Sequence, residues 1–170
     1  MPIDDYQSVI VRRFINSDIA AALELISQIG SPDDLARAAR EQFTRELDAP
    51  HDEEVRFVAI YRSMVVGTMG CGPGPLPSKQ ALWADWLVVD RNHRRRKIAS
   101  LLYEKVEEFA SIRKKTYLCL DIGNIDNERA AFTFHLRNGF QIVGQLPDYW
   151  GELEHLNIMA KRLTPMDRRQ

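Results

Sequence analysis

The sequence predicts a mixed α/β fold, and three observations carry that expectation. A strand-like run from Ala81 to Val89, an amphipathic helical stretch and a second strand-like run from Thr116 to Ile122 form a strand–helix–strand unit, the usual source of a parallel strand pair. Two short β-like runs, Val55 to Tyr61 and Met64 to Cys71, are separated only by Arg62-Ser63, a spacing that suits an antiparallel hairpin. Leu153 to Leu163 alternates apolar and polar residues, as a half-buried last strand would.

The elements follow in order. Ser8 to Ile15 reads as a first strand with Val9, Val11 and Ile15 on one face. Asn16, Ser17 and Asp18 can cap a helix through Ala20, Leu23 and Ile26 that stops at Gly30. Ser31-Pro32-Asp33-Asp34 opens a second helix, with proline at its first position and acids in its first turn, running to about Leu47. After the hairpin, Gly72-Pro73-Gly74-Pro75-Leu76-Pro77 can only be a loop. In the strand Ala81 to Val89, Trp83, Asp85, Leu87 and Val89 share one face and Leu82, Ala84, Trp86 and Val88 the other. The next helix lines up Ile98, Leu101, Leu102, Val106 and Phe109. Asp126 and Asn127 can cap a short helix through Ala131 and Phe134 that ends at Gly139, and Phe140 to Gly144 resumes as a strand. Pro147 to Gly151 reads as a loop carrying Tyr149 and Trp150.

Size and composition narrow the function classes. A chain of 170 residues, 45% hydrophobic and 28% charged, fits one soluble domain over residues 1–170 with its core at about 8–163. Net charge is −1, which argues against a duplex-binding protein. No apolar run approaches the roughly 20 residues of a membrane span, and Asp4 and Asp5 do not suit a signal peptide, so a cytoplasmic protein is expected. Cys71 and Cys119 show neither a metal-ligand spacing nor a disulfide framework, and no metal is expected.

The chemistry concentrates where the strand Ala81–Val89 ends. Asp90-Arg91-Asn92-His93-Arg94-Arg95-Arg96-Lys97 is a basic turn leading directly into a helix. The first turn of a helix leaves backbone N–H groups without partners at the positive end of the macrodipole, so it readily receives a phosphate or diphosphate. Arg94, Arg95, Arg96 and Lys97 would add full charges to those partial ones. The competing readings of the same run are a solvated basic face or a nucleic-acid patch.

Spacing adds a resemblance. Leu87-Val88-Val89 followed by Arg94 and closed by Ala99 resembles motif A of the GCN5-related N-acetyltransferases (GNAT), a strand of pattern Leu-x-Val-x-Pro leading into Arg/Gln-x-x-Gly-x-Gly/Ala and a long helix. Arg91 stands where that family often has proline, and Lys97 where it usually has glycine; a lysine there is expected to keep ordinary helical dihedrals. Ala131-Phe132-Thr133-Phe134-His135-Leu136-Arg137-Asn138-Gly139-Phe140 resembles the family's second segment, Ala-x-x-Phe-Tyr-x-x-x-Gly-Phe. Together the two motifs and their flanking elements cover most of the chain from Ser8 to Leu163.

The resemblance implies a GNAT fold: a mixed, mostly antiparallel central sheet of six or seven strands, splayed between the fourth and fifth to admit acetyl-CoA and flanked by about four helices. It also implies that the pantetheine arm pairs with Leu87, Val88 and Val89, that the diphosphate rests on Arg94, Arg95, Arg96, Lys97, Ile98, Ala99 and Ser100, and that Asn127 contacts the arm, one residue out of step with the usual Asn-x-x-Ala. The implied reaction is direct attack of a primary amine, from a small molecule or a protein, on the thioester. Asp85 is the candidate base. His135, where the family usually has tyrosine, is the candidate general acid, with an imidazole near its reference pKa of about 6.5. The acceptor amine would meet the first two helices, the Gly72 to Lys79 loop and Tyr149-Trp150, where Asp148 and Glu152 hint at a cation. A GNAT-fold domain that only binds or senses CoA is the alternative, and a homodimer is left open.

Overall fold

The computed structural model describes residues 9–29 and 33–164; Ser8, Gly30, Ser31 and Pro32, which bear on the predicted first strand and on the helix boundary, lie outside them. The strands are β1 (Ile10–Arg13), β2 (Val55–Tyr61), β3 (Met64–Gly72), β4 (Ala81–Val89), β5 (Tyr117–Ile122), β6 (Gln141–Gly151) and β7 (Glu154–Arg162). The helices are α1 (Ile19–Ser27), α2 (Asp33–Asp48), α3 (Ile98–Ile112) and α4 (Arg129–Arg137). One seven-stranded sheet has the order β1-β2-β3-β4-β5-β7-β6. Its only parallel pair among the recorded registers is β4 with β5, the pair that the strand–helix–strand unit requires. That register runs from Ala81↔Tyr117 to Trp83↔Cys119 and ends there, although β4 continues to Val89.

The residues fall into two compact units, each sharing part of β4. The first comprises the described residues up to Gly72 with Trp86–Phe109. Its core joins Phe14, Leu23, Leu25 and Ile26 to Phe43, Val58 and Val88. β2 is buried along almost its whole length, as a strand covered on both faces should be, and even its Arg56 is only 4% exposed. That burial is sustained because Glu46 accepts from Arg56 at 2.8 and 2.9 Å while the guanidinium lies 4.3 Å from the centre of the Phe43 ring.

The second unit comprises Pro73–Asp85 with the described residues from Ala110 onward. Leu82, Leu118, Leu120, Ile122, Phe140 and Met159 are among its buried apolar residues. Asn157 is buried among them and satisfied, its side chain donating to the Gly123 carbonyl at 2.9 Å and accepting from Gln145 at 2.8 Å.

Three boundaries depart from expectation. β6 does not stop at Gly144 but runs to Gly151, so the stretch Pro147–Gly151 read as a loop is part of an irregular strand. Turn-forming residues mislead there because a bulge can hold them within a strand. Asp126 and Asn127 do not cap α4: both sit in the preceding turn, and Glu128 occupies the cap position with its carboxylate turned to the Gly123 N–H at 2.9 Å. Lys97 has φ of 60°, left-handed rather than helical, so its expected dihedrals are corrected. Among the described residues, no helix is long and apolar enough to cross a membrane.

Candidate active site

In the first unit, the end of β4 is pinned before the basic turn begins. Trp86 takes a left-handed φ of 48°, which lets its ring pack edge-on against Phe43 while its indole N–H donates to Gln42 at 2.8 Å. Asp90 N–H donates to the Val66 carbonyl at 2.9 Å, holding the strand end to β3. Asp90 then starts a 3-10 turn over Arg91–His93 by accepting from Asn92 N–H at 2.8 Å. Arg91 N–H donates to the Gln28 side chain at 3.0 Å, tying the turn to the end of α1.

Beyond it, Arg94, Arg95, Arg96 and Lys97 are all exposed. Arg95 and Lys97 both lie in the left-handed region, at φ of 62° and 60°. The Lys97 carbonyl accepts from Leu101 N–H at 3.0 Å, which makes Lys97 the cap residue of α3. A lysine side chain has no acceptor with which to satisfy the first-turn amides of Ile98, Ala99 and Ser100, so those N–H groups suit an anionic ligand. Sequence reading missed the residue that sets α3 against the sheet: a Cβ on Gly67 would meet Leu102 at 3.0 Å, Ile98 at 3.1 Å and the Val88 carbonyl at 3.2 Å. A larger residue there would press on the two α3 side chains and on the Val88 carbonyl at once.

In the second unit, Asp85 and Asp121 lie on the side of β4 and β5 opposite the buried Leu82, Ala84, Leu118 and Leu120. Each lies two residues beyond Trp83↔Cys119, where the parallel register ends, and the charge of Asp85 is felt at Asp121. The pKa of Asp121 is raised, first by desolvation and then by the charge of Asp85. Glu128 is raised as well, by desolvation first, its Gly123 hydrogen bond opposing and the Asp121 charge adding. Asp121 could not be singled out from sequence, because only the packing of β5 beside β4 brings it within reach of the Asp85 charge.

His135 is 7% exposed and stacks edge-on with Phe140 at 5.6 Å. Its Nδ1 is buried with no hydrogen-bond partner among the described residues, and desolvation lowers its pKa to about 4. The imidazole is therefore neutral at pH 7. Asn127 is exposed, its N–H donating to the Asn124 carbonyl at 3.1 Å.

The sequence model of the acetyltransferase (GNAT) family matches residues 21–140, well over half of the chain. The chain belongs to that family. Solved structures agree on the fold. A GNAT-family protein from Desulfovibrio desulfuricans superposes with a TM-score of 0.85 at 16% identity, over 92% of this chain and 100% of that one. An aminoglycoside 6'-N-acetyltransferase complexed with coenzyme A gives 0.73 at 18%, over 92% and 98%. A ribosomal-protein-alanine N-acetyltransferase from Brucella melitensis gives 0.72 at 22%, over 91% and 99%. No curated protein matches the chain.

The protein is thus an acetyltransferase of the GNAT family, which uses acetyl-CoA. Its basic turn departs from the family pattern in having lysine at a position whose backbone is left-handed, the conformation for which glycine is the ordinary choice. The donor set fits a diphosphate all the same: first-turn amides, a capping residue without an acceptor and four consecutive exposed cationic residues stand at one helix start. The family's second motif reaches the structure as α4, with His135 its one buried residue.

Proposed function

We propose that this protein is a cytoplasmic N-acetyltransferase that moves an acetyl group from acetyl-CoA to a primary amine by direct attack. The observation that carries the reading is the basic turn Arg94–Lys97, left-handed at Arg95 and Lys97, opening α3 after the end of β4. Acetyl-CoA supplies an activated acyl carbon; the C–N bond forms as the C–S bond breaks, and the thiolate leaves. The chain's own contribution is to hold, orient and accept protons. The backbone of Leu87, Val88 and Val89 offers a strand edge to the pantetheine arm, and the amides of Ile98, Ala99 and Ser100 with Arg94, Arg95, Arg96 and Lys97 take the phosphates. Asn127 is a further polar contact to the arm.

Asp85 is the proton acceptor for the attacking amine, with Asp121 beside it. Asp121, whose pKa desolvation and the Asp85 charge push up, shares that task. His135 serves the leaving group as a neutral hydrogen-bond donor, because an imidazole of pKa about 4 carries no extra proton to give at pH 7. Its unpartnered Nδ1 supports a role that needs a polar contact from outside the fold.

The deciding experiment is a thiol-release assay with acetyl-CoA against a panel of amines, small polyamines and peptides included. Amine-dependent release of CoA is expected. Binding of CoA without release by any amine would instead favour a CoA-sensing domain.

A further inference from the structure

The two carboxylate oxygens of Asp90 face different neighbours. Oδ1 accepts from Asn92 N–H at 2.8 Å and caps the 3-10 turn Arg91–His93. Oδ2 lies 3.6 Å from Nδ1 of His93. That nitrogen is buried, and it has no hydrogen-bond partner among the described residues. The residue around it is held in place: the imidazole centre lies 5.6 Å from that of Tyr61, and His93 N–H donates to the Asp90 carbonyl at 2.8 Å. Without a proton, Nδ1 sets a lone pair against a carboxylate; with one, it sets a donor there. Closing the gap by about half an ångström then completes a charge-assisted hydrogen bond.

His93 is the last residue of the turn that delivers the basic segment, and Arg94 follows it with Nε 3.4 Å from the Val89 carbonyl. Drawing the imidazole onto Asp90 therefore fixes the turn at the point from which Arg94–Lys97 and the first amides of α3 depart. Charges on several sides bear on that proton. Asp90 favours it. Against it stand Arg91 and Arg94 in the turn itself and, on the Tyr61 side, Arg62, whose guanidinium lies 5.1 Å from the centre of the Tyr61 ring. An anion bound at the basic turn offsets those cations. Ligand binding and protonation then favour each other, and the coupling is equal in both directions. We propose that His93 is a positioning residue for the phosphate-binding turn, and that its Nδ1 proton, shared with Asp90, ties CoA affinity to pH. The inference rests on the acetyltransferase reading above.

The test is calorimetric titration of the full chain with dephospho-CoA at constant ionic strength, from about pH 8 to about pH 5.5, the range over which histidines change charge. This probe keeps the diphosphate and lacks the 3′-phosphate, so its own phosphate charge stays constant throughout. Affinity should rise about fivefold or more toward the acid end, and heats in buffers of different ionisation enthalpy should show net proton uptake. His93→Phe keeps a ring against Tyr61 and loses the nitrogen. Asp90→Asn keeps an acceptor for Asn92 N–H and loses the charge. Each should flatten the pH profile, which a merely structural loss would lower evenly. His93→Asn, whose amide nitrogen can stand where Nδ1 does, should bind more tightly than His93→Phe yet show no pH dependence.

Wild-type affinity that does not change over this range would overturn the proposal. So would a rise left intact by His93→Phe or by Asp90→Asn, two variants that test the pair from opposite sides should either fail to fold. His93→Asn binding no tighter than His93→Phe would likewise overturn it, by denying the contact with Asp90 any part in holding the turn. The two readings separate cleanly: pH-independent binding of dephospho-CoA sinks this inference alone, whereas no binding at any pH sinks the acetyltransferase reading on which it stands.

Discussion

Lys97 holds a backbone conformation that a residue with a Cβ adopts at a cost of roughly 1–2 kcal/mol, at the very position that caps α3. Lys97→Gly should remove that strain and one positive charge together, so that CoA affinity by calorimetry changes by less than about tenfold, or about 1.4 kcal/mol. A much larger loss would make the ammonium a required phosphate ligand. His135 allows a different measurement. Its folded pKa of about 4 lies below the unfolded value of about 6.5, so the unfolded chain binds the proton first as pH falls. This histidine's contribution to stability is therefore complete above about 6.5, is lost as pH falls toward 4 and changes no further below that, a span on the order of 3 kcal/mol. Urea midpoints at several pH values should show this loss in the wild type and a correspondingly weaker decline in His135→Phe. In turnover, no alkaline limb with an ordinary imidazole pKa should appear, because the group has already lost its proton there.

At the scale of elements, the helix start is the working part. Arg94→Ala and Arg95→Ala should weaken CoA more than pantetheine in competition titrations, because their partners are phosphates; equal losses for both ligands would place these side chains elsewhere. Gly67→Val should weaken CoA too, because Ile98 and Leu102 at the start of α3 would have to give way to the new side chain. Which elements could be read from sequence follows from what fixes them. β2 and β4 have the bounds that alternation and apolar runs predict, Val55–Tyr61 and Ala81–Val89, since local pattern and burial agree there. The basic turn was legible because charge and a helix start are both local. The far half of β6 was not, since Pro147, Asp148 and Gly151 are turn formers that a hydrogen-bonded bulge accommodates. Nor were the depth of His135 and the influence of Asp85 on Asp121, which depend on Phe140 and on β5 lying beside β4, residues distant in the chain.

At the scale of the whole molecule, covalent continuity argues that the two compact units unfold together, as the single domain proposed for this chain. β4 crosses from one to the other between Asp85 and Trp86, and α3 between Phe109 and Ala110. Melting either unit would remove hydrogen-bonded turns or ladder partners in the middle of an element whose other half remains folded, and both helix and sheet formation are cooperative over such lengths. Denaturation followed by tryptophan fluorescence and by far-ultraviolet dichroism should therefore coincide in one transition. CoA bound at the start of α3 should then shift that whole transition, by about 2.7 kcal/mol at a ligand concentration one hundred times Kd. Two separate transitions, with only the first moved by CoA, would show instead that the unit carrying the basic turn folds on its own.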